Sequence, residues 1–301
     1  MRIRLSSPQS DAQWQAYYQF RWQQLRAPWQ QPIGSERDEL ETSSIHRMLL
    51  DGETVVGVGR LHQVDATRAQ LRYMAVASSY QGQQLGARLV AELEQQALAL
   101  GCSEVVLNAR ENALGFYQKL GYSQQEELAS QFGVRHFRMQ RFIRFTANTG
   151  SWQQQCQQLE QVWHQQIPLS QFMQLQITAF DGCELRCQVP LPPNINLHGT
   201  MFAGSIYSLA TLTGWGLLHL QLQALELQAD LVLADASIRY LKPMQTQPQA
   251  RCSLLGAKGD LTVLRQGKNA SQRIDVELLS ANKVVALFSG HYKALLPRNT
   301  P

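Results

Sequence analysis

The first half of the chain switches between two hydrophobic periods. Val55 to Leu61 and Ala69 to Val76 are largely apolar runs separated by a polar turn, and they predict two strands. From Gly86 to Leu100 the period becomes helical. Leu89, Val90, Leu93, Ala97 and Leu100 fall on one face, and Gly101 follows where a C-terminal cap belongs. Asp11 to Leu25 predicts a helix after a Ser10 cap. Arg2 to Leu5, Val105 to Leu107 and Val134 to Phe142 predict further strands, and Ala113 to Lys119 a short helix. Such alternation of strand and helix indicates α/β architecture.

The pattern changes after Thr146 to Ser151, the best linker candidate, so domains are expected over residues 1–147 and 150–301. Ser151 can cap a helix from Trp152 to about His164. Strands then dominate: Phe172 to Phe180, and Glu184 to Val189 after the turn Asp181-Gly182. A loop rich in Pro and Asn, Pro190 to Asn196, leads to a long helix from Met201 to Leu220. That helix carries Ala203, Gly204, Ser205, Ala210, Gly214 and Gly216, so a neighbour must pack very closely against it. Four more strands are predicted, at Leu231–Tyr240, Gln249–Ala257, Arg273–Ser280 and Lys283–Lys293. One buried helix wrapped by an antiparallel sheet, an α+β arrangement, accounts for this half.

Composition narrows the class. The 301 residues are 44% hydrophobic, enough for a real core, and 27 Lys and Arg against 23 Asp and Glu leave only +4. That excess does not indicate a nucleic-acid partner. No apolar run reaches the ~18 residues of a membrane span, and the start, MRIRLSSPQS, lacks the apolar core of a signal peptide. Cys102, Cys156, Cys183, Cys187 and Cys252 are odd in number and scattered, with no CxxC pair. They read as ordinary reduced thiols rather than a disulfide framework or metal site, which points to a cytoplasmic protein. Short glutamine runs such as Gln153–Gln155 sit inside amphipathic patterns and read as solvent-facing positions.

The first chemical signal is a strand end, Tyr73-Met74-Ala75-Val76, followed by Gln81-Gly82-Gln83-Gln84-Leu85-Gly86-Ala87 turning into a helix. A turn's amides and a helix N-terminus together favour an anion. Downstream, Asn108 ends the next strand, and Asn112-Ala113-Leu114-Gly115-Phe116-Tyr117-Gln118-Lys119-Leu120-Gly121-Tyr122 follows. Over roughly residues 1–145 these segments resemble the GNAT acetyltransferase superfamily, whose fold is a mixed sheet with flanking helices. The resemblance implies acetyl-CoA or another acyl-CoA as co-substrate, with no covalently bound cofactor. It places the CoA arm along Met74, Val76, the loop from Gln81 to Ala87, Asn108 and Asn112. It makes Tyr117 the general acid for the leaving thiolate, a task that suits a phenol, whose proton is held at neutral pH. Gln84 departs from the family, standing where Gly is usual.

No general base stands out. The segment Glu36 to His46 is dense in candidates and otherwise reads as an acidic N-terminal helical turn. Some GNAT-fold enzymes decarboxylate malonyl thioesters with a His beside a Ser or Thr, so His46 with Thr42 or Ser43 keeps a malonyl-carrier-protein decarboxylase of fatty-acid synthesis in view. Arg135, Arg138, Arg141 and Arg144 recur every third residue. In a strand that spacing alternates faces, so they read as solvated positions.

The second signal is Pro190-Leu191-Pro192-Pro193-Asn194-Ile195-Asn196-Leu197-His198-Gly199-Thr200-Met201-Phe202-Ala203-Gly204-Ser205, with Ile238-Arg239-Tyr240-Leu241-Lys242-Pro243 later. It resembles the hotdog-fold thioesterases through Asn196, Gly199, Thr200, Gly204, Leu209 and Ala210. Two residues depart: Phe202 replaces the motif His, and Thr211 replaces the acidic residue that activates water. What the resemblance leaves is an oxyanion-type site, with amides near Gly204 at the helix N-terminus and Asn196 as carbonyl or water partner. His198 and Asp235 are alternative bases, and Ser205 reads as a packing or capping residue.

A GNAT half followed by a hotdog half resembles the bifunctional GNAT/hotdog proteins related to YiiD. The resemblance implies an enzyme of acyl-CoA or acyl-carrier-protein thioesters, active in fatty-acid metabolism, that forms a homodimer through the hotdog half. A non-catalytic acyl-CoA-binding protein is the rival reading, motivated by Gln84 and Thr211.

Overall fold

The computed structural model describes residues 3–147 and 150–297. The chain forms two compact units, Met1–Ile143 and Arg144–Pro301. Residues 148 and 149 of the expected linker, and Arg2 of the first predicted strand, lie outside the described residues.

The first unit comprises β1 (Arg4–Ser6), α1 (Asp11–Leu25), β2 (Ile45–Asp51), β3 (Thr54–Gln63) and β4 (Arg68–Val76). It continues with α2 (Leu85–Ala99), β5 (Glu104–Arg110), α3 (Leu114–Lys119), β6 (Ser123–Gln131) and β7 (Val134–Phe142). The sheet order is β1-β2-β3-β4-β5-β7-β6, with β4 and β5 parallel and every other pair antiparallel. The mixed sheet with flanking helices is thus present. Ser10 caps α1 as expected, its Oγ accepting from the Gln13 amide at 3.3 Å. Tyr17 and Phe20 of α1 pack with Met48, Leu50, Val55 and Val58. On α2, Leu89, Val90, Leu93 and Ala97 are buried, as their spacing predicts.

Two strands escape the hydrophobic pattern. β6 is an edge strand with almost every side chain exposed, so it carries no alternation. β2 begins inside the segment that composition marks as acidic. The solvated reading also fails at Arg141, which is buried and paired with buried Glu94 at 2.9 Å, while the Tyr122 hydroxyl donates to the same carboxylate. Burial pushes the Glu94 carboxyl up, opposed by Arg141 and the Tyr122 hydrogen bond.

The second unit comprises α4 (Trp152–Gln166), α5 (Pro168–Phe172), β8 (Gln176–Phe180), β9 (Glu184–Gln188), α6 (Ala203–Ala224), β10 (Asp230–Tyr240), β11 (Gln249–Ser253), β12 (Ala270–Ser280) and β13 (Lys283–Leu295). Its sheet is wholly antiparallel, in the order β10-β13-β12-β11-β9-β8, around the long, mostly buried α6. Ser151 and Gln154 close a capping box on α4. The strand predicted from Phe172 starts later because Pro168 opens α5, a short helix ending at Phe172. The small residues of α6 have named neighbours. A Cβ at Gly216 would stand 2.6 Å from Trp163 Cζ2, and one at Gly214 would overlap the Tyr292 hydroxyl. All five cysteines are free and buried. No described helix is long and apolar enough to cross a membrane.

Candidate functional site

In the first unit the site begins with a break in the sheet. β4 and β5 pair with each other only from Arg68/Glu104 to Leu71/Leu107, then part and run on to Val76 and Arg110, each still paired to its other neighbour. A bulge lies at the same point on the other edge of β4, where Val58 faces Ala75 but Arg60 faces Arg72. Tyr73 takes up the extra length with a φ of 54°, a left-handed conformation that costs an aromatic residue energy. A wedge therefore opens between β4 and β5, with Met74 and Val76 on one side and exposed Asn108 on the other.

At the end of β4 the chain makes a short turn at Ser78–Tyr80 and enters the loop before α2. Gly82 has a φ of 77° and Gln84 a φ of 60°. Gln81, Gly82, Gln83 and Gln84 are exposed, and no side chain among the described residues caps α2, so its first amides are open to an anion. A Cβ at Gly86 would stand 3.1 Å from Cζ of the Phe116 ring. That contact ties the loop to α3, which holds Tyr117. Leu85 is buried and Ala87 half-buried, so both anchor the helix start. Burial raises the Tyr117 pKa and keeps its proton on the phenol. Asn112, just before α3, is exposed.

The segment Glu36–His46 does contain a helical turn, Glu41–Ser43, but its Asp38 and Glu41 carboxylates are not free. Asp38 and Glu41 clamp two fully buried arginines that the pattern did not single out. Arg21 of α1 donates both Nη atoms to Glu41, at 3.0 and 2.5 Å. Arg60 of β3 donates to Asp38 at 2.5 and 2.9 Å and to Glu41 at 2.5 Å. Arg72 adds a bond to Asp38 at 3.0 Å, and the Tyr73 hydroxyl another at 3.2 Å. The Arg21 guanidinium lies 3.4 Å from the Tyr73 ring centroid. These contacts hold the bulge in its strained form. Burial alone would raise both carboxyls, but the guanidinium contacts outweigh it and hold Asp38 and Glu41 below the usual range. The available clue was Arg60 itself, a charge in the middle of the apolar run Val55–Leu61.

His46 needs correction as a catalytic candidate. It is buried, with Nε2 2.8 Å from the Glu41 carbonyl and Nδ1 3.3 Å from the Tyr17 hydroxyl. Both ring nitrogens are engaged within the fold, and the partners are Tyr17 and Glu41 rather than the Thr42 or Ser43 that the decarboxylase alternative pairs with His46. His62 is also buried, and its Nδ1 has no hydrogen-bond partner among the described residues.

In the second unit, Asn196 also needs correction. Its Oδ1 accepts from the His198 and Thr200 amides at 2.9 and 3.3 Å, and its Nδ2 lies 3.0 Å from Thr200 Oγ1. The side chain thus closes its own loop, which takes its oxygen and one of its two amide protons. His198 is exposed at the tip of that loop, and Asp235 lies exposed at a bulge in β10 opposite His291. No side chain caps α6, and the Phe202 ring lies against Gly204, where a Cβ would overlap it. Thr211 gives its carbonyl to the Tyr292 hydroxyl at 2.9 Å, while its own Oγ1 is buried without a partner among the described residues. Ser205 is half-buried on α6.

Comparison with known proteins decides both halves. Residues 14–122 match the family described as "Acetyltransferase (GNAT) family", and residues 156–296 match "Putative thioesterase (yiiD_Cterm)". The uncharacterized N-acetyltransferase YjcF of Bacillus subtilis (strain 168) is 36% identical over 111 residues, 36% of this chain and 77% of that protein. The chain belongs to the GNAT acetyltransferase and YiiD_C thioesterase families, one in each half. Among solved structures, a "putative thioesterase from Shewanella oneidensis" is 43% identical. It covers 48% of this chain and 99% of its own, with a TM-score of 0.46. An aminoglycoside 6'-N-acetyltransferase complexed with coenzyme A is 19% identical over 47% of this chain and 97% of its own, with a TM-score of 0.41. The GNAT/YiiD_C chain is accordingly an enzyme of acyl thioesters, joining an acyltransferase to a thioester hydrolase.

Proposed function

We propose that the first unit transfers an acyl group from acyl-CoA to an amine across the β4–β5 wedge. The observation that carries this reading is the contact between Gly86 and Phe116, which brings the uncapped start of α2, beyond the stretch of β4 that leaves β5, against α3, the helix that holds buried, protonated Tyr117. Pyrophosphate occupies the loop from Gln81 to Ala87, and the thioester lies along Met74 and Val76. Asn108 and Asn112 flank the CoA arm. The amine nitrogen attacks the thioester carbonyl, a C–N bond forms and the C–S bond breaks. Tyr117 gives its proton to the departing thiolate, the new ammonium loses one to solvent, and solvent reprotonates the phenol. The test is transfer from acetyl-CoA to an amine, followed by thiol release. Tyr117→Phe is expected to lower kcat by about 10²–10⁴-fold with acetyl-CoA affinity retained; an unchanged kcat sinks the assignment.

The second unit, on this reading, hydrolyses an acyl thioester of CoA or of acyl carrier protein within cytoplasmic fatty-acid metabolism. Amides near Gly204, at the uncapped start of α6, polarise the carbonyl. β10 supports a homodimer: it is an edge strand, eleven residues long, with Val232 and Tyr240 exposed. Thiol release from acyl-CoA esters of increasing chain length, with no amine present, tests the hydrolase, and no release from any ester or carrier-protein thioester would overturn it. Sedimentation tests the dimer.

A further inference from the structure

The transferase reading leaves the acceptor unnamed, and two arginines narrow it. Most arginines of the first unit meet a carboxylate: Arg21 and Arg60 as above, Arg47 on Glu92, Arg135 on Glu111 and Glu127, Arg141 on Glu94. Arg26 and Arg110 have none among the described residues. Instead Arg26 Nη1 and Arg110 Nη2 each lie 3.3 Å from one oxygen, the carbonyl of Leu25, so the two nitrogens are at most twice that distance apart. A single neutral carbonyl cannot balance two cations. Glu111, the residue after Arg110, is turned away to Arg135 at 2.7 Å. Burial and the Arg26 charge both lower the Arg110 pKa, the mark of a cation held beside a like charge.

Their place in the fold is specific. Arg110 ends β5, beyond the point where β4 and β5 part. Arg26 follows α1, and the bond from its Nε to the Ser35 carbonyl at 2.9 Å fixes the fork. Aromatic rings flank the pair. Trp29 lies 5.5 Å from Arg110, and Tyr73 of the bulge and Phe132 of the β6–β7 turn lie 5.4 and 5.6 Å from Arg26. The Trp29 indole N–H is itself buried without a partner among the described residues. Two forked cations, an unspent N–H donor and apolar rings on four chain segments make a receptor for a planar oxyanion attached to an apolar body.

We propose that Arg26 and Arg110 bind the carboxylate of the acceptor, so that the first unit acylates amines that carry a free carboxylate. The inference rests on the transferase reading, and two measurements separate them. The first offers acetyl-CoA with phenylalanine, phenylalanine amide and phosphoethanolamine as matched acceptors. Phenylalanine is expected to be used at least 10-fold better in kcat/KM than either control. Arg110→Gln and Arg26→Gln are expected to raise its KM 10-fold or more, with the KM for acetyl-CoA unchanged. Equal use of acid and amide, or preference for the phosphate, overturns the proposal. The second measures equilibrium binding of N-acetylphenylalanine and its amide. Binding of the acid alone, weakened in Arg110→Gln, upholds the carboxylate site even where no transfer occurs, and then the transferase reading fails by itself. No difference between acid and amide in either measurement removes the site.

Discussion

At the scale of single residues, strain and unspent polar groups mark where this protein departs from its families. Gln84 stands where GNAT proteins usually have Gly, and the structure supplies the reason: the position requires a φ of 60°. A side chain there costs about 1 kcal/mol. Gln84→Gly is therefore expected to raise stability by about that amount, read as a higher denaturation midpoint, while acyl-CoA binding holds or tightens. A lower midpoint would mean that the Gln84 side chain makes a contact worth more than the strain. Thr211 is the matching case in the second unit. Its buried Oγ1 lacks a partner among the described residues, and such a group costs about 1–3 kcal/mol. Thr211→Val keeps the shape and removes the hydroxyl. The variant is expected to be more stable and, if the hydroxyl serves the thioester site, slower in thiol release. A stable variant with full hydrolysis would make Thr211 a relic of the lost carboxylate. Neither φ nor hydrogen-bond debt is written in residue identity, so the sequence showed both positions as departures without showing their cost.

At the scale of elements, hydrophobic period decided what could be read. α2 and β7 carry strong patterns, α1 is announced by its Ser10 cap rather than by an apolar stripe, and Gly101 and Ser151 mark helix ends in plain chemistry. β6 was invisible because an exposed edge strand needs no apolar face. The arginine repeat misled because strand spacing gives faces but not what lies above them. Arg141 happens to face α2, where Glu94 waits. That pair is wholly enclosed, so losing one partner leaves a buried charge. Glu94→Ala is expected to cost about 3–5 kcal/mol in urea unfolding, whereas replacing both partners with apolar residues should cost much less. Equal losses would show that the pair itself, rather than the orphaned charge, supplies the stability. The crowding on α6 was legible as a run of small residues, but the partners were not. Gly216→Ala pushes a methyl toward the Trp163 ring, and about 1–3 kcal/mol of destabilisation is expected by thermal denaturation.

At the scale of the whole molecule, local motifs proved more legible than long-range pairing. The strand–loop–helix around Gln81–Ala87 and the Asn112–Tyr122 segment gave away the first site because they are contiguous in sequence. The charged nest beneath α1 was hidden because Arg21, Asp38, Arg60 and Tyr73 come from four separate segments. That nest sets the acid limit of the fold. Burial, with Arg60 adding to it, lowers the pKa of both His46 and His62 against the pull of Glu41 and Asp38. A lowered histidine binds its proton more readily in the unfolded chain than in the native one. Its contribution is whole above the unfolded value of about 6.5 and declines as pH falls toward the native pKa. Asp38 and Glu41 are lowered as well, so their share is whole above about pH 4 and is lost only below it. Stability of the first unit should thus fall in two stages on acidification, the first beginning as the pH drops below about 6.5. Urea unfolding of the full chain across both stages checks it. His62→Gln should flatten the first stage by removing one titrating group, and leave the second in place. A profile flat from pH 7 to pH 5 would show that neither imidazole is held neutral by the nest, and the two-stage account would fall with it.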